Sequence, residues 1–454
     1  MNKRTLNKDL PASVGNHVKI AGWVDVRRDH GKLIFLDIRD RSGIVQVVVT
    51  PKAAEALEKA KELRAEWVVE IEGEVKVRPE NMRGEGELGS VELVASAITV
   101  LSKSHELPFE LGTELNLDTH LDNLPLTLRT KRSRDIFTMQ ATILDGYRKS
   151  LAAQGFIEFV APSLVGSDSE GGGAVFKVEY FNEVVAYLAV SPQLYKQIMV
   201  GPFERAFTVA KIFRAERSAT TRHLSEATCI DFEMGFIENE REPMKVLECA
   251  IRDTVNDVAD KHEAVFARFG TRIPLVSDEI PVLTLKEAFE TLGKPEAPDL
   301  EPEDERNISA WAKANRGSDF VFITRFPTKK RAFYTYEDPQ EAPYSRGFDL
   351  LFRGLEINSG AQRIHDYDML VERMKSRGLD PQKFSYYLQA FKYGLPPHGG
   401  SSTGLERFTA RMLELPNVKE ATAFPRDMHR IDVRLSTFDE VGIGEDVQIE
   451  RKDS

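Results

Sequence analysis

The chain has 454 residues, of which 41% are hydrophobic and 29% are charged, and its formal net charge is −11. This composition is ordinary for a globular protein, and the acidic balance argues against indiscriminate binding to nucleic acid. No apolar run approaches the roughly 18 to 20 residues of a membrane span, and the first residues contain no apolar signal-peptide core. With only two cysteines, a disulfide framework is excluded, so we expect a cytoplasmic protein with no membrane partner.

The N-terminal part of the chain is basic although the whole chain is acidic. Residues 1–52 contain ten lysines and arginines against five aspartates, a local charge of +5. A basic module on an acidic chain is typical of a protein that binds a polyanion at one end only.

Residues 17–100 consist of short β-branched runs separated by turn residues, with one helical segment after the third run. Five strands with a helix in this position predict a small Greek-key barrel of the oligonucleotide-binding (OB) type. Such barrels stack single-stranded bases on aromatic side chains and read base edges with polar groups. Phe35 and Gln46, beside Arg27 and Arg28, are the candidates, although a strand phenylalanine more often belongs to the core.

The next segment, residues 102–128, loses its periodicity and gains proline and acidic residues, which predicts an interdomain linker. A helix is expected from about Arg132 to Gln154, followed by a strand that ends at Pro162.

Two short features follow that strand. Glycines 171–173, directly after Glu170, indicate either a flexible flap or a plain turn. Ser191 is a candidate N-cap for a helix on which Gln193 and Lys196 share a face, and a lone lysine at such a place is usually solvated.

Residues 213–236 predict a β-hairpin, because two alternating runs flank a polar, basic loop. On this lattice Arg214 and Glu216 project from one face of a strand, while Arg222 and His223 lie in the loop. A fixed cation, a fixed carboxylate and loop cations suit a ligand with a polyphosphate and a hydrogen-bond donor, and ATP is such a ligand. The alternative is a solvated hairpin whose charges pair with one another.

Residues 348–368 place Asp349 and Glu356 among apolar strand residues, with Ser359 close behind. Two carboxylates and a hydroxyl form an oxygen-rich group that suits Mg²⁺ shared with phosphates. The alternative is that one of the carboxylates pairs with a buried arginine, since a buried carboxylate needs a partner of some kind.

Residues 393–413 predict a glycine-rich loop that runs into a helix starting near Thr403, with Arg407 in its first turns. Backbone amides and the positive end of a helix attract anions, although many helices begin in this way. The tail, residues 431–454, is charged and poor in core residues, and the sequence assigns it no role.

These pieces, in this order, resemble the class II aminoacyl-tRNA synthetases, whose three motifs match residues 155–162, 213–236 and 399–407. The barrel, with SPQLYK and PPHGG, resembles the subgroup that charges aspartate, asparagine and lysine. SPQLYK is similar to the aspartate-charging branch, in the short form without the large bacterial insertion. The resemblance implies an α+β fold, in which an OB-type barrel precedes a catalytic domain built on an antiparallel β-sheet flanked by helices. The expected domains are an anticodon-binding barrel at 1–101, a linker at 102–128, a catalytic domain at 129–430 and a tail at 431–454.

The resemblance also implies a role for each candidate residue. Those that match ATP-binding positions, of which Arg214 and Arg407 are also catalytic, are Arg214, Glu216, Arg222, His223, Glu356 and Arg407. Those that match the Mg²⁺ positions are Asp349, Glu356 and Ser359. Those that match the positions around the substrate L-aspartate are Glu170, Gln193, Lys196 and Arg363. Those expected at the tRNA anticodon are Arg27, Arg28, His30, Phe35 and Gln46. The chain departs from many relatives at Ala227, where an aromatic residue would stack on adenine.

The function implied is ATP-dependent ligation of L-aspartate to tRNA(Asp) through an aspartyl-adenylate, by a homodimer whose interface includes the strand ending at Pro162. His30 lies where relatives that charge both tRNA(Asp) and tRNA(Asn) often carry histidine, so relaxed tRNA specificity is a hypothesis and a solvated turn residue is the alternative. Three rivals share the fold: an asparagine-charging enzyme, a synthetase-like RNA-binding protein without catalysis, and an amide-forming synthetase. Lys196 with Arg363 argues against the first of these.

Overall fold

The computed structural model describes residues 4–84, 86–166, 174–217, 220–432 and 434. Glu170 and glycines 171–173 lie outside the described residues, as does most of the predicted tail. The chain divides into two compact units, residues 1–110 and residues 111–454.

The first unit is a five-stranded closed barrel with one helix. Its strands are β1 (His17–Asp29), β2 (Ile34–Arg39), β3 (Ile44–Val49), β4 (Val68–Val77) and β5 (Val91–Ser102), and its helix is α1 (Ala54–Glu62). The strands close in the order β1-β2-β3-β5-β4. Strand residues alternate between the core and the outside, as at Ile34 and Leu36, which are fully buried, with Phe35 between them half-buried. The predicted OB-type barrel is therefore confirmed.

The second unit contains ten helices and eleven strands in its described part. The helices are α2 (Leu117–Asp122), α3 (Leu124–Thr127), α4 (Lys131–Ala153), α5 (Gln193–Phe203), α6 (Arg241–Arg268), α7 (Leu285–Leu292), α8 (Pro302–Arg316), α9 (Tyr367–Ser376), α10 (Ser385–Lys392) and α11 (Leu405–Met412). The first six strands are β6 (Ile157–Glu158), β7 (Leu164–Val165), β8 (Lys177–Glu179), β9 (Val185–Leu188), β10 (Arg205–Phe213) and β11 (Glu226–Gly235). The other five are β12 (Val282–Thr284), β13 (Phe320–Thr324), β14 (Gly347–Phe352), β15 (Leu355–Gln362) and β16 (His398–Gly404).

Eight of these strands form one sheet, in the order β12-β13-β14-β15-β16-β11-β10-β6. All neighbours in it are antiparallel except the two pairs at its edges, β12 with β13 and β6 with β10. The main core includes apolar residues of these strands together with those of α4, α6 and α11, while α7 and α8 pack on β13 in a separate cluster. The predicted α+β architecture is confirmed.

The predicted glycine-rich loop before Arg407 is wrong, because residues 398–404 form β16, an inner strand of the sheet. A Cβ atom added to Gly400 would lie 2.0 Å from the carbonyl oxygen of Phe232, and one added to Gly399 would lie 2.8 Å from that of Ala361. The glycines therefore allow close approach of the neighbouring strands rather than the freedom of a loop. The helix that follows starts at Leu405, two residues later than predicted.

Two short helices, α2 and α3, lie inside the region for which the sequence predicts a linker. The side chain of Asn116 caps α2 by accepting a hydrogen bond from the backbone N–H of Thr119, a local contact that hydrophobic periodicity does not report. None of the helices in the described ranges combines the length and the apolarity that crossing a bilayer would require.

Candidate active site

A cavity of about 200 Å³ lies where β10, β11, β15, β16 and α11 meet. Its walls contain candidate residues from three distant parts of the chain. Those residues are Arg214, Arg222, His223, Glu356, Ser359 and Arg407. The fold therefore brings the hairpin, strand β15 and Arg407 of α11 to one place, which we call the nucleotide cavity.

Arg214 and Glu216 lie just after the end of β10, not on a strand as predicted. The backbone N–H of Arg214 donates to the carbonyl of Ser225 at 2.9 Å, which holds the start of the loop. The guanidinium of Arg214 lies 4.0 Å from the carboxylate of Glu216, and both side chains are about half exposed, at 49% and 45%. Such an exposed ion pair is weak, so both charges remain available to a ligand.

Arg222 does not lie free in the loop. Its Nη2 donates to both carboxylate oxygens of Glu305 on α8, at 2.9 and 3.1 Å. Glu305 also accepts a hydrogen bond from the backbone N–H of Glu356 at 3.3 Å, and burial raises the pKa of Glu305 although Arg222 opposes that shift. Glu305 lies 83 residues from Arg222 in the sequence, and no pattern there indicates the contact.

His223 and Arg407 complete the cationic side of the nucleotide cavity. Burial and then the charge of Arg407 lower the pKa of His223, whose Nδ1 lies 2.5 Å from the hydroxyl of Thr220. Arg407 donates from Nη1 to the carbonyl oxygen of Glu356 at 3.1 Å. On the hairpin side the wall is formed by Ala227 and Thr228, so no aromatic ring stands at Ala227 to stack on a base.

Asp349, on β14, is paired with an arginine, which is the alternative given above for the two carboxylates of residues 348–368. Arg331 donates to both oxygens of Asp349, at 3.0 and 2.6 Å, and to the hydroxyl of Ser359 at 3.2 Å. Its guanidinium also lies 3.7 Å from the ring centre of Phe326. The sequence offers no signal for Arg331, which stands in a run of basic residues on a connecting segment.

Glu356 differs from Asp349 because no hydrogen bond from an arginine side chain to its carboxylate is found among the described residues. Burial, and then the negative charge of Asp349, raise the pKa of Glu356 to about 7. Two carboxylates that repel each other beside a serine hydroxyl are the oxygen donors that a hard divalent cation prefers. The donor set therefore fits Mg²⁺, although within the described ranges no group of three or more acidic, cysteine or histidine side chains is arranged as a metal cage.

A second, fully buried group of charges lies behind the nucleotide cavity. The Nζ of Lys196, on α5, is 3.4 Å from Glu233 and 3.6 Å from Asp231, both on β11. Arg363, just after β15, donates from Nε to Glu233 at 2.9 Å and from Nη2 to the carbonyl of Gly400 at 2.9 Å. Lys196 and Arg363, which the resemblance alone relates to each other, thus converge on one carboxylate.

Glu233 and Asp231, which belong to this group, are not among the candidate residues predicted from the sequence. The signal for them is present, because Asp231 and Glu233 alternate with buried apolar residues and so share one face of β11. Burial alone would raise the pKa of Glu233, but Arg363 and Lys196 lower it below its ordinary value. Cys229, on the same face, lines the nucleotide cavity, and its thiol lies 3.3 Å from Asp231, so the two groups adjoin.

Gln193 belongs to an uncharged network beside Lys196. Gln197 accepts hydrogen bonds from Gln193 and from the hydroxyl of Tyr387, each at 3.1 Å, and donates to Nε2 of His398 at 2.8 Å. The other ring nitrogen of His398 donates to the carbonyl of Pro396 at 2.9 Å. Each ring nitrogen thus has the partner of a neutral imidazole, and burial lowers the pKa of His398 to about 4.

The barrel brings most of its candidate residues to one outer face. Phe35 lies outside the barrel core, opposite Arg28 in the β1–β2 register, and the ring of His30 meets it edge-on at 5.5 Å. Arg28 forms two hydrogen bonds to Asp37, at 2.7 and 2.8 Å. The expectation that a strand phenylalanine belongs to the core does not hold here.

Gln46 and Arg27 are placed differently from each other. Gln46 pairs with Asp37 in the β2–β3 register and donates to Glu92 at 3.2 Å, so it continues the face that carries Phe35. Arg27 instead donates to the carbonyl of Ala60 in α1 at 3.0 Å, and the structure therefore separates it from the other four candidates.

Two family models match the chain. The model of class II tRNA synthetases of the aspartate, lysine and asparagine type matches residues 116–428, and the model of the OB-fold nucleic acid binding domain matches residues 18–101.

Similar proteins cover nearly the whole chain. An aspartate–tRNA(Asp/Asn) ligase from Thermus thermophilus is 43% identical, over 94% of this chain and 99% of the relative, and an aspartate–tRNA(Asp) ligase from Pyrococcus horikoshii is 38% identical, over 92% and 96%. Among solved structures, an asparaginyl-tRNA synthetase from Pyrococcus horikoshii, complexed with asparaginyl-adenylate, superposes with a TM-score of 0.87 at 30% identity, covering 95% of this chain and 100% of that one. A structure described as a putative aspartyl-tRNA synthetase from Leishmania major superposes with a TM-score of 0.86 at 29% identity, covering 94% and 95%.

Proposed function

The chain belongs to the class II tRNA synthetases of the aspartate, lysine and asparagine type, and on that premise we propose that it ligates L-aspartate to tRNA through an aspartyl-adenylate. The observation that carries the proposal is the convergence of Lys196 and Arg363 at a buried site that adjoins the nucleotide cavity. Two cations at this point suit a substrate with a side-chain carboxylate. Three relatives, from Thermus, Deinococcus and Archaeoglobus, are each named aspartate–tRNA(Asp/Asn) ligase, which supports the choice of aspartate.

In the first step, the ionised α-carboxylate of aspartate attacks the α-phosphate of ATP and displaces pyrophosphate, so no protein base is needed. Catalysis then consists of positioning and charge stabilisation. Arg214 holds the α-phosphate, and the carboxylate of Glu216 accepts a hydrogen bond from the adenine amino group. Arg407 lies against the base and the phosphate tail, and Arg222 with His223 receives the γ-phosphate end.

Mg²⁺ is part of the proposal because the oxygens of Asp349, Glu356 and Ser359 form a donor set that suits this ion. The ion supplies charge neutralisation on the phosphate oxygens when it is bound. Arg331 keeps Asp349 and Ser359 at a fixed separation through three hydrogen bonds. That contact orients two of the three candidate ligands before any cation arrives.

The amino-acid site is balanced in charge before substrate enters, because Lys196 and Arg363 face Glu233 and Asp231. The aspartate side chain therefore enters as a third anion and must share these cations. Within the described ranges, Nη1 of Arg363 donates no hydrogen bond. A charged donor therefore remains for the carboxylate of the substrate's side chain. Gln193 and Glu170, the latter outside the described residues, are proposed at the substrate's ammonium group.

The barrel is proposed to read the anticodon with Arg28, Phe35 and Gln46. Phe35 supplies a half-buried ring outside the barrel core on which a base stacks, and the neighbouring polar side chains supply hydrogen bonds to base edges. His30 packs against Phe35, which places an imidazole beside the stacking ring and supports charging of tRNA(Asn) as well as tRNA(Asp). Arg27, held at α1, is the least suited of the original candidates.

A homodimer is also proposed. The short edge strand β6 ends the main sheet, and it leaves Ile157 exposed at 46% and the following Val160 at 96%. Large apolar side chains at a sheet edge are suited to burial against a second copy of the chain.

The test is amino-acid-dependent exchange of pyrophosphate into ATP, measured with aspartate, asparagine and lysine separately. Exchange with aspartate alone is expected, and exchange driven by asparagine would replace the proposal with an asparagine-charging enzyme. Charging of purified tRNA(Asp) and tRNA(Asn) with labelled aspartate then decides tRNA specificity. Absence of aspartyl-tRNA(Asn) would mean a discriminating enzyme.

A further inference from the structure

A second cavity, of about 160 Å³, lies beside the nucleotide cavity. Arg222 and Val418 line both, so the two cavities share a wall. The second cavity is far larger than the roughly 10 to 15 Å³ that one water molecule needs. It is formed by the hairpin loop, α8, the β14–β15 turn and α11 together with the residues that follow it.

Four of the eleven residues that line this second cavity, which we call the arginine cavity, are arginines. Its four arginines are Arg222, Arg306, Arg353 and Arg411. They come from four separate parts of the chain, so the cluster is a product of the fold and not of one basic run. Three carboxylates, those of Glu305, Asp319 and Glu414, form ion pairs with cavity arginines, but among the described residues only with two of the four.

Two of the arginines are paired. Arg222 is bound by Glu305, as described above. Arg353 lies 3.2 Å from Glu414 and 3.5 Å from Asp319, and it also donates to backbone carbonyls around the end of α11. These contacts fix Arg353 as a rigid part of the wall.

The other two have no such partners. Within the described part of the chain, no hydrogen bond or ion pair is found for the guanidinium of Arg306 or for that of Arg411. The Nε of Arg411 is buried without a hydrogen-bond acceptor. Burial lowers the pKa of both Arg353 and Arg411 more than their neighbouring carboxylates raise it, which is the electrostatic cost of removing these guanidinium groups from water.

We propose that the arginine cavity is a phosphate-binding site that shares only Arg222 with the residues assigned to ATP, and that it takes a free oxyanion such as inorganic phosphate or pyrophosphate. Guanidinium groups present paired donors that match the oxygens of a phosphate, and several together select a multiply charged anion. The shared wall at Arg222 gives the site a functional place, because pyrophosphate that leaves the nucleotide cavity meets it next. That place rests on the proposed function, whereas anion binding by itself does not.

The test uses the full-length protein with its nucleotide cavity filled by α,β-methylene ATP, an analogue that cannot form the adenylate. Inorganic phosphate and pyrophosphate are then titrated by calorimetry at low ionic strength. We expect one further anion per chain, and we expect the double variant Arg306→Gln/Arg411→Gln to weaken its binding by roughly tenfold or more, since two charged donors are lost. The matched control, Lys313→Gln/Lys383→Gln, removes two exposed charges elsewhere and leaves binding unchanged.

Binding of the nucleotide analogue, measured first, should be the same in all three proteins and shows that the variants are folded. If the parent protein takes up no anion beyond the nucleotide, or if the Arg306/Arg411 variant binds it as tightly as the parent, the proposal is overturned. Failure of the nucleotide analogue to bind would instead contradict the proposed function, and the same anion titration without nucleotide would then decide the arginine cavity by itself.

Discussion

Individual buried charges of this protein are explained by partners that are remote in sequence. Lys196 is fully buried, whereas the sequence alone would predict a lysine that is exposed to solvent. It is tolerated there because Glu233 and Asp231 lie within 3.6 Å. At the scale of the residue, the candidate amino-acid site is thus a buried group of two cations, Lys196 and Arg363, and two carboxylates.

The first prediction at this scale concerns Lys196→Met. Removing one cation leaves the carboxylates of Glu233 and Asp231 with only Arg363, and breaking a buried pair costs about 3 to 5 kcal/mol. Aspartate-dependent pyrophosphate exchange should therefore fall at least about 100-fold, while affinity for ATP changes little. Lys211→Met, at an exposed lysine of β10, is the matched control and should be near parental. Unchanged exchange in Lys196→Met would remove this lysine from the substrate site.

The second prediction concerns the pH dependence that His398 confers. Its pKa is about 4 in the folded chain against an ordinary value of 6.5, so the unfolded chain binds a proton that the folded chain excludes between these values. The free energy of unfolding should fall as the pH drops from about 6.5 to about 4, by about 3 kcal/mol from this group. Urea unfolding at pH 7 and pH 4.5 measures the change, and His398→Gln should have a flatter dependence. Parallel curves for parent and variant would contradict the assignment.

At the scale of the element, strand β16 shows where local patterns mislead. Its glycines and serines are those of a loop, yet the strand lies between β15 and β11. Glycine is required there by its neighbours, since a side chain at Gly400 would collide with the backbone of β11. The same closeness brings the carbonyls of Gly400 and Ser401 within hydrogen-bonding reach of Arg363 and Lys196.

The prediction for this element is that Gly400→Ala is strongly destabilising. The added Cβ would lie 2.0 Å from the carbonyl oxygen of Phe232, so the strands must separate, at a cost of about 3 kcal/mol or more. In Gly201→Ala, on helix α5, the nearest atom is 3.7 Å away, and the change should be neutral or stabilising by up to about 1 kcal/mol. The free energies of unfolding of the two variants in urea test this, and equal values would show that β16 adapts.

At the scale of the whole molecule, two units with separate hydrophobic cores carry two kinds of candidate residue. The barrel core is made only from residues of the first unit, and the core beneath the large sheet only from residues of the second. Each unit therefore has the apolar burial needed for a stable fold of its own.

We accordingly predict that residues 111–454, expressed alone, retain aspartate-dependent pyrophosphate exchange within several-fold of the full chain. The nucleotide cavity and the buried charges around Lys196 lie wholly in this unit, whereas the candidate anticodon readers lie in the barrel. The kcat/KM for charging tRNA should fall by about 100-fold, equivalent to about 3 kcal/mol of lost binding. A fragment that charges tRNA like the full chain would show that the barrel does not contribute to recognition.

Several features follow from the sequence by itself. The barrel strands are bounded by turn residues, and their alternation places Ile34 and Leu36 inside, so local information suffices. The hairpin is predicted for the same reason, and the ordered motifs identify the family. Glu233 and Asp231 could also have been predicted from the sequence, because their alternation with apolar residues is the period-two pattern of a strand.

Only the tertiary structure decides which charges meet. Arg363 and Glu233 are 130 residues apart, and Arg222 and Glu305 are 83 apart. No periodicity encodes such pairs, because a salt bridge depends on how distant strands and helices are packed. The same holds for Arg331 at Asp349 and for the arginine cavity, whose four cations come together only when the fold closes. The sequence thus supplies the charged side chains, and packing determines which of them have a partner and which remain for a ligand.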